Sequence, residues 1–176
     1  MEMTYGYLYV DELNWSTQAD CLVALDAHFR QIGREELVFD EPGFPVVELA
    51  RSLLVWLDSP NRIDFIFDSM SYEEAGSISI VQDSGGWTFH SVFIPQPLTR
   101  PMGWSEVEQC CLNFIAKVEA DLMALGLHPD EVIRRLRGKY WICSQDNHPK
   151  RATLPVRSVE RGLQPSEARS SPAECR

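Results

Sequence analysis

Residues 21–42 read CLVALDAHFRQIGREELVFDEP, and the choice between helix and hairpin here decides the fold class. On a helical wheel the apolar residues scatter around the whole circumference. With period 2, Cys21, Val23, Leu25, Ala27 and Phe29 share one face, while Asp26, His28 and Arg30 share the other. That alternation is the signature of a half-buried strand. Gly33 then supplies a turn into a second short strand at 37–40. The spacing therefore predicts a hairpin, and with it an antiparallel sheet.

Working outward, TYGYLYVDEL (4–13) has the composition of a strand, and EPGFP (41–45) reads as a turn. Pro45 suits the first turn of a helix. In VVELARSLLVWLDSP (46–60), Val46, Ala50, Leu53, Leu54 and Leu57 recur at helical spacing, with Glu48, Arg51 and Ser52 outside the stripe. RIDFIF (62–67) is a strand. ISIVQ (78–82) and WTFHSVFI (87–94) form a hairpin around Asp83-Ser84-Gly85-Gly86, a register that sets Val81 opposite Thr88 and Ser79 opposite His90. A long helix follows. Ser105 and Glu108 read as its capping box, Val107, Cys111, Phe114, Val118, Leu122 and Leu125 as its apolar stripe, and Gly126 as its C-terminal cap. Pro129-Asp130-Glu131 opens a short helix, with Arg134, Arg135 and Arg137 near its negative end. The resulting fold class is α+β: an antiparallel sheet of about five to six strands, one face covered by two main helices. Residues 1–146 form the single domain. Residues 147–176, rich in Pro, Ser and Arg and without apolar periodicity, read as a disordered tail.

Charge is distributed unevenly. Residues 1–133 hold 6 Lys+Arg and 22 Asp+Glu, a net of −16, and residues 134–176 hold 10 basic and 4 acidic residues, a net of +6. An acidic body repels nucleic acid and anionic membrane, and steers a basic partner toward itself. No apolar run approaches the ~20 residues of a membrane span. The N-terminal stretch has no basic n-region, so no secretory signal is expected. Five cysteines (Cys21, Cys110, Cys111, Cys143, Cys175) lack CxxC spacing. Adjacent Cys110 and Cys111 read as small core residues, and a reducing, cytoplasmic location is expected.

Candidate chemistry concentrates in DFIFDSMSYEEAGSISI (64–80), where Asp64, Asp68, Glu73 and Glu74 crowd around Tyr72. On a strand Asp64 and Asp68 stand about 13 Å apart, at ~3.3 Å per residue, too far to share a metal or act as an acid–base pair. Phe65 and Phe67 take the opposite face for packing. These acids with Tyr72 are therefore candidates for meeting a partner. Ser79, His90 and Asp68 could in principle make a hydrolytic set, but no GxSxG supplies a nucleophile elbow. Gly85-Gly86 is a turn, and neither GxGxxG nor GxxxxGK[ST] is present. His28, His90, His128 and His148 lack spaced partners, so neither metal nor cofactor is expected. The Arg-rich tail could be read as a nucleic-acid arm, but the acidic body opposes that use.

Three blocks, FDEPGFPVVELARSLLVWL (39–57), DFIFDSMSYEEAGSISIVQDSGGWTFHSVF (64–93) and the helix from WSEVEQ to DLMALGL (104–127), together resemble small bacterial proteins that carry a domain of unknown function. The resemblance covers roughly residues 4–135 and implies no activity. In size, acidity and α+β make-up the chain is also similar to immunity proteins that neutralise secreted bacterial toxins. The expected function is a non-enzymatic acidic module that binds a basic protein, a toxin or a neighbouring gene's product. The alternatives are a small hydrolase using Ser79, His90 and Asp68, and a regulatory or structural subunit marked by an exposed apolar patch.

Overall fold

The computed structural model describes residues 1–10, 17–33 and 37–134. Three antiparallel strands form a first sheet in the order β1-β2-β3: β1 (Glu2–Val10), β2 (Leu25–Ile32) and β3 (Leu37–Phe44). A short helix α1 (Gln18–Ala24) runs directly into β2, and α2 (Val46–Leu57) follows β3. A second three-stranded sheet holds β4 (Phe65–Ile66), β5 (Ser79–Asp83) and β6 (Gly86–His90) in sequence order. α3 (Trp104–Ala124) and the single turn α4 (Pro129–Val132) complete the described residues. The six strands thus lie in two sheets of three, which corrects the expectation of one larger sheet. β4 is only two residues long and pairs with β5, so it does not extend the first sheet. Side chains join the two sheets instead: the Phe44 ring lies 5.8 Å from that of Phe67.

The stretch 21–42 turns out to be both alternatives in succession. Thr17 Oγ1 accepts the Asp20 N–H at 3.1 Å and Asp20 Oδ2 accepts the Thr17 N–H at 2.8 Å, a reciprocal cap that starts α1 at Gln18, three residues before the quoted stretch. Cys21 and Val23 therefore sit on a helix and not on a strand. From Leu25 onward the alternation holds: Leu25, Ala27 and Phe29 are fully buried, and β2 pairs with β3 as the expected hairpin. β3 runs through EPGF, where a turn is expected; Gly43, at φ 66°, absorbs the irregular register near its end. Pro45 caps α2 rather than standing inside it.

The core gathers around phenylalanines. Phe29 stacks on Phe44 at 4.7 Å and meets Phe39 and Phe114 edge-on at 5.9 and 5.7 Å, tying β2 to β3 and to α3. Each such buried ring contributes about 1.5–3 kcal/mol through apolar burial. α2 packs on β2 and on α3, and α3 packs on β1, where Tyr5 donates to Asp121 at 2.7 Å. Burial followed by that carboxylate pushes the Tyr5 phenol strongly up. α3 buries Val107, Cys111, Phe114, Val118 and Leu122 of the expected stripe and Cys110 as well, and its C-cap, Leu125, is half-buried. Its cap lies two residues earlier than predicted: Gly103 is the N-cap, and Glu106 accepts the Gly103 N–H at 3.0 Å. Gly126, at φ 79°, ends the helix; Leu127 N–H reaches Leu122 O and Gly126 N–H reaches Met123 O, the paired bonds of a Schellman cap. Arg134 pairs with Glu119 of α3 and with Asp130. Arg135, Arg137 and the predicted tail lie outside the described residues.

Three indoles form a second cluster. Trp56 of α2, Trp87 of β6 and Trp104 of α3 have centroids 5.2–5.9 Å apart, and the Arg62 guanidinium lies over Trp104 at 4.6 Å. Trp87 also exchanges both backbone hydrogen bonds with Met102, at 2.9 Å each, which fastens the approach to α3 against the sheet.

Candidate functional site

The loop between β4 and β5 is closed at its base by the backbone. Phe67 N–H reaches Ile78 O at 2.9 Å, Gly76 N–H reaches Phe67 O at 2.7 Å, and Val92 N–H reaches Gly76 O at 3.0 Å. Gly76, at φ 92°, has Val92 and Ile66 side chains within 3.8 Å of where a Cβ would stand. The acids 68, 73 and 74 therefore belong to one tethered loop and not to a continuing strand.

A carboxylate from α2 holds this loop from beneath. Glu48 is buried, with Oε2 accepting the Ser69 hydroxyl at 2.8 Å and Oε1 accepting the Met70 N–H at 2.9 Å. Ser69 Oγ in turn accepts the Ser71 N–H at 3.0 Å. The sequence places Glu48 outside the apolar stripe, yet the first turn of α2 is buried from Val46 through Ala50. At that position the positive end of the helix also favours a negative charge. Glu48 is the residue that reading by periodicity misses. Its only signal in the sequence is an acid in the first turn of an otherwise apolar segment.

The five partner-binding candidates separate into two roles. Asp64 Oδ1 accepts the Gln82 N–H at 2.9 Å, prolonging the β4–β5 pairing. Asp68, Glu73 and Glu74 are exposed on the loop, beside exposed Met70. Tyr72 is half-buried, its ring 5.8 Å from Phe44 and 6.0 Å from Phe93. Burial, then the charges of Glu41 and Asp26, push its phenol up to about 12. So the loop carries its tyrosine into a negative field that two residues of the first sheet supply. Asp26 and Glu41 are additions to the site, since strands far apart in sequence bring them there. Phe93, half exposed, continues the line of rings to Phe39 at 6.4 Å.

The alternative set is also placed. Ser79 stands opposite His90 in the β5–β6 register, as predicted. The hydrogen bond to His90 Nε2 comes from its own strand, with Thr88 Oγ1 at 2.8 Å. Asp68 sits on the exposed loop. Among the described residues no three His, Cys, Asp or Glu side chains converge as metal ligands, and no helix is long and apolar enough to cross a membrane.

The family described as Domain of unknown function (DUF7878) matches residues 2–124, from the first residue of β1 to the last of α3. The chain belongs to this family. The matched span contains both sheets, the Glu48-tethered loop and the ring line, and it stops short of α4. No curated protein and no solved structure matches the chain.

Proposed function

We propose that this chain is a non-enzymatic, acidic protein-binding module of the bacterial cytoplasm, acting as an immunity-type inhibitor of a basic toxin domain. The observation that carries the reading is the loop 68–76: exposed Asp68, Glu73 and Glu74 share it with half-buried Tyr72 and exposed Met70, on a backbone that Glu48 holds in place. An aromatic and a methionine on a loop that also carries charge are the residue types that anchor an interface while its rim steers the partner. The net charge of −16 over residues 1–133 supports a basic partner, and the same field disfavours nucleic acid and anionic membrane. Pinning the loop in advance lowers the ordering cost of association.

The test is co-expression with the basic product of an adjacent gene, followed by purification at low and high salt. A complex that dissociates as salt rises, and that Asp68→Lys combined with Glu73→Lys weakens, is the expected result. An unchanged complex with the charge-reversed chain refutes the role of the loop. Absence of any complex with an adjacent gene's product refutes the immunity reading.

A further inference from the structure

We propose that the outer edge of β3 is a strand-addition site whose occupant is an extended segment of the partner protein that carries an apolar residue and a Lys or Arg two positions apart, on one face. This rests on the binding-module reading above and adds where, and in what conformation, the partner is held. β3 ends the order β1-β2-β3. One side of it pairs with β2, and among the described residues no backbone hydrogen bond reaches 37–41 from the other side. Such an edge presents N–H and C=O groups at the spacing an incoming strand satisfies.

A shallow groove of about 280 Å³ runs beside that edge, between residues 37–41 and Phe93 with Ile94. Small-molecule sites occupy ~300–1,000 Å³, so this groove suits a few side chains of a longer segment better than a compact ligand. Leu37 and Phe93 are each about half exposed on its walls, and the Phe39 ring lies against Phe93. An apolar side chain of the incoming strand would seat against these three.

Charge selects the occupant. Asp40 and Glu41 line the same groove. Asp40 already meets His28 and Arg30 of β2, whereas Glu41 has no ion pair among the described residues. Phe39 and Glu41 stand opposite Gln31 and Phe29 and so share one face of β3, so a Lys or Arg two positions from the apolar anchor would complete Glu41 and extend the line of acids toward Tyr72. A second copy of this chain fits less well, because antiparallel pairing of two β3 edges brings Asp40 and Glu41 of each copy close to those of the other. Like charges across a strand pair are unfavourable.

The experiment uses the full chain, ¹⁵N-labelled, and synthetic peptides about eight residues long, enough to cover 37–41 at ~3.3 Å per residue. One, the Val–Lys peptide, repeats Val-Thr-Lys-Thr so that Val and Lys share one face, and the other, the Val–Glu peptide, repeats Val-Thr-Glu-Thr. The Val–Lys peptide should slow amide exchange within 37–41 by at least about tenfold, with an affinity that falls as salt rises. Glu41→Lys should abolish that protection, Glu41→Gln should weaken it, and the Val–Glu peptide should give none. Salt-sensitive Val–Lys binding that protects only 68–76 overturns strand addition and leaves the binding-module reading standing. Absence of Val–Lys binding overturns strand addition as well; the module reading falls only if the co-expressed complex also ignores charge reversal of the loop. Protection of 37–41 that grows with protein concentration, without peptide, names a second copy as the occupant and overturns the proposal.

Discussion

Replacing Glu48 by alanine should unfasten the loop 68–76 before it unfolds the protein. The carboxylate accepts two hydrogen bonds, at 2.8 Å from Ser69 and 2.9 Å from Met70 N–H, and Ser69 relays a third contact to Ser71 N–H. Hydrogen bonds to a charged group are worth about 1.5–3 kcal/mol each, but here they share one acceptor residue and are not additive. The desolvation of a buried carboxylate offsets part of that gain. Met70 is exposed, so its N–H can turn to water once the loop opens. Buried Ser69 has no such outlet while the loop stays closed. The net expectation is a loss of about 2–3 kcal/mol for Glu48→Ala. Glu48→Gln keeps a carbonyl for Met70 N–H and obliges Ser69 to reverse its hydroxyl, so it should cost about half as much. Urea unfolding reads the global loss, and hydrogen exchange at the Met70 and Ser71 amides reads the local one. In Glu48→Ala those two amides should exchange through a local opening far below the global unfolding energy, with β5 and β6 protected almost as before. A Glu48→Ala protein within about 0.5 kcal/mol of the parent, with unchanged exchange at Met70, would refute the argument that this carboxylate sets the loop.

Three further outcomes follow from the geometry. Gly86→Ala places a Cβ 2.6 Å from the Met102 carbonyl at a φ of 133°, so it should cost about 2–3 kcal/mol in urea unfolding, whereas Gly126→Ala, at φ 79° with open space around it, should cost about 1 kcal/mol; equal losses would contradict the close approach. A phenol held at about 12 against an ordinary 10 stabilises the fold fully below pH 10 and loses that contribution as pH rises toward 12. The phenolate absorbance missing from Tyr72→Phe should accordingly centre near pH 12, and a missing signal centred at 10 would refute the burial and the acidic field assigned to Tyr72. Burial pushes both the Cys110 and Cys111 thiols up, so mass-mapped labelling of these two should proceed at the rate of unfolding, and rapid native labelling of Cys111 would count against its place in the α3 core.

How much of this was legible depended on whether the determining contacts were local. The β5–β6 register could be counted from Ser84-Gly85, because a tight turn fixes every pair beyond it, and Ser79 does face His90. The stripe of α3 was equally legible, but its start was not. A glutamate three residues past Gly103 caps as well as one three residues past Ser105, and sequence alone favours the serine. The strand reading of 21–42 failed at its beginning because the deciding residues, Thr17 and Asp20, both lie before the quoted stretch. Glu48, Glu41 and Asp26 were invisible as site residues for a different reason. Each reaches the loop only through pairing and packing between segments that no spacing rule connects. The division into two sheets was hidden likewise, since strand composition says nothing about which edge a two-residue strand will choose.

The cluster of Trp56, Trp87 and Trp104 gives the molecule an internal optical gauge of its own assembly. Its three members come from a helix, a hairpin and a second helix separated in sequence by up to 48 residues, from 56 to 104, and stand within 6 Å of one another by centroid. Indoles that close couple their transitions, so the near-ultraviolet dichroism of the cluster should exist only when α2, β6 and α3 are docked together. An expanded state that keeps its helices would retain far-ultraviolet signal and lose this coupled band. Any change that loosens or tightens the packing between the second sheet and the helices would thus be visible without a label, in light absorbed by the chain's own indoles.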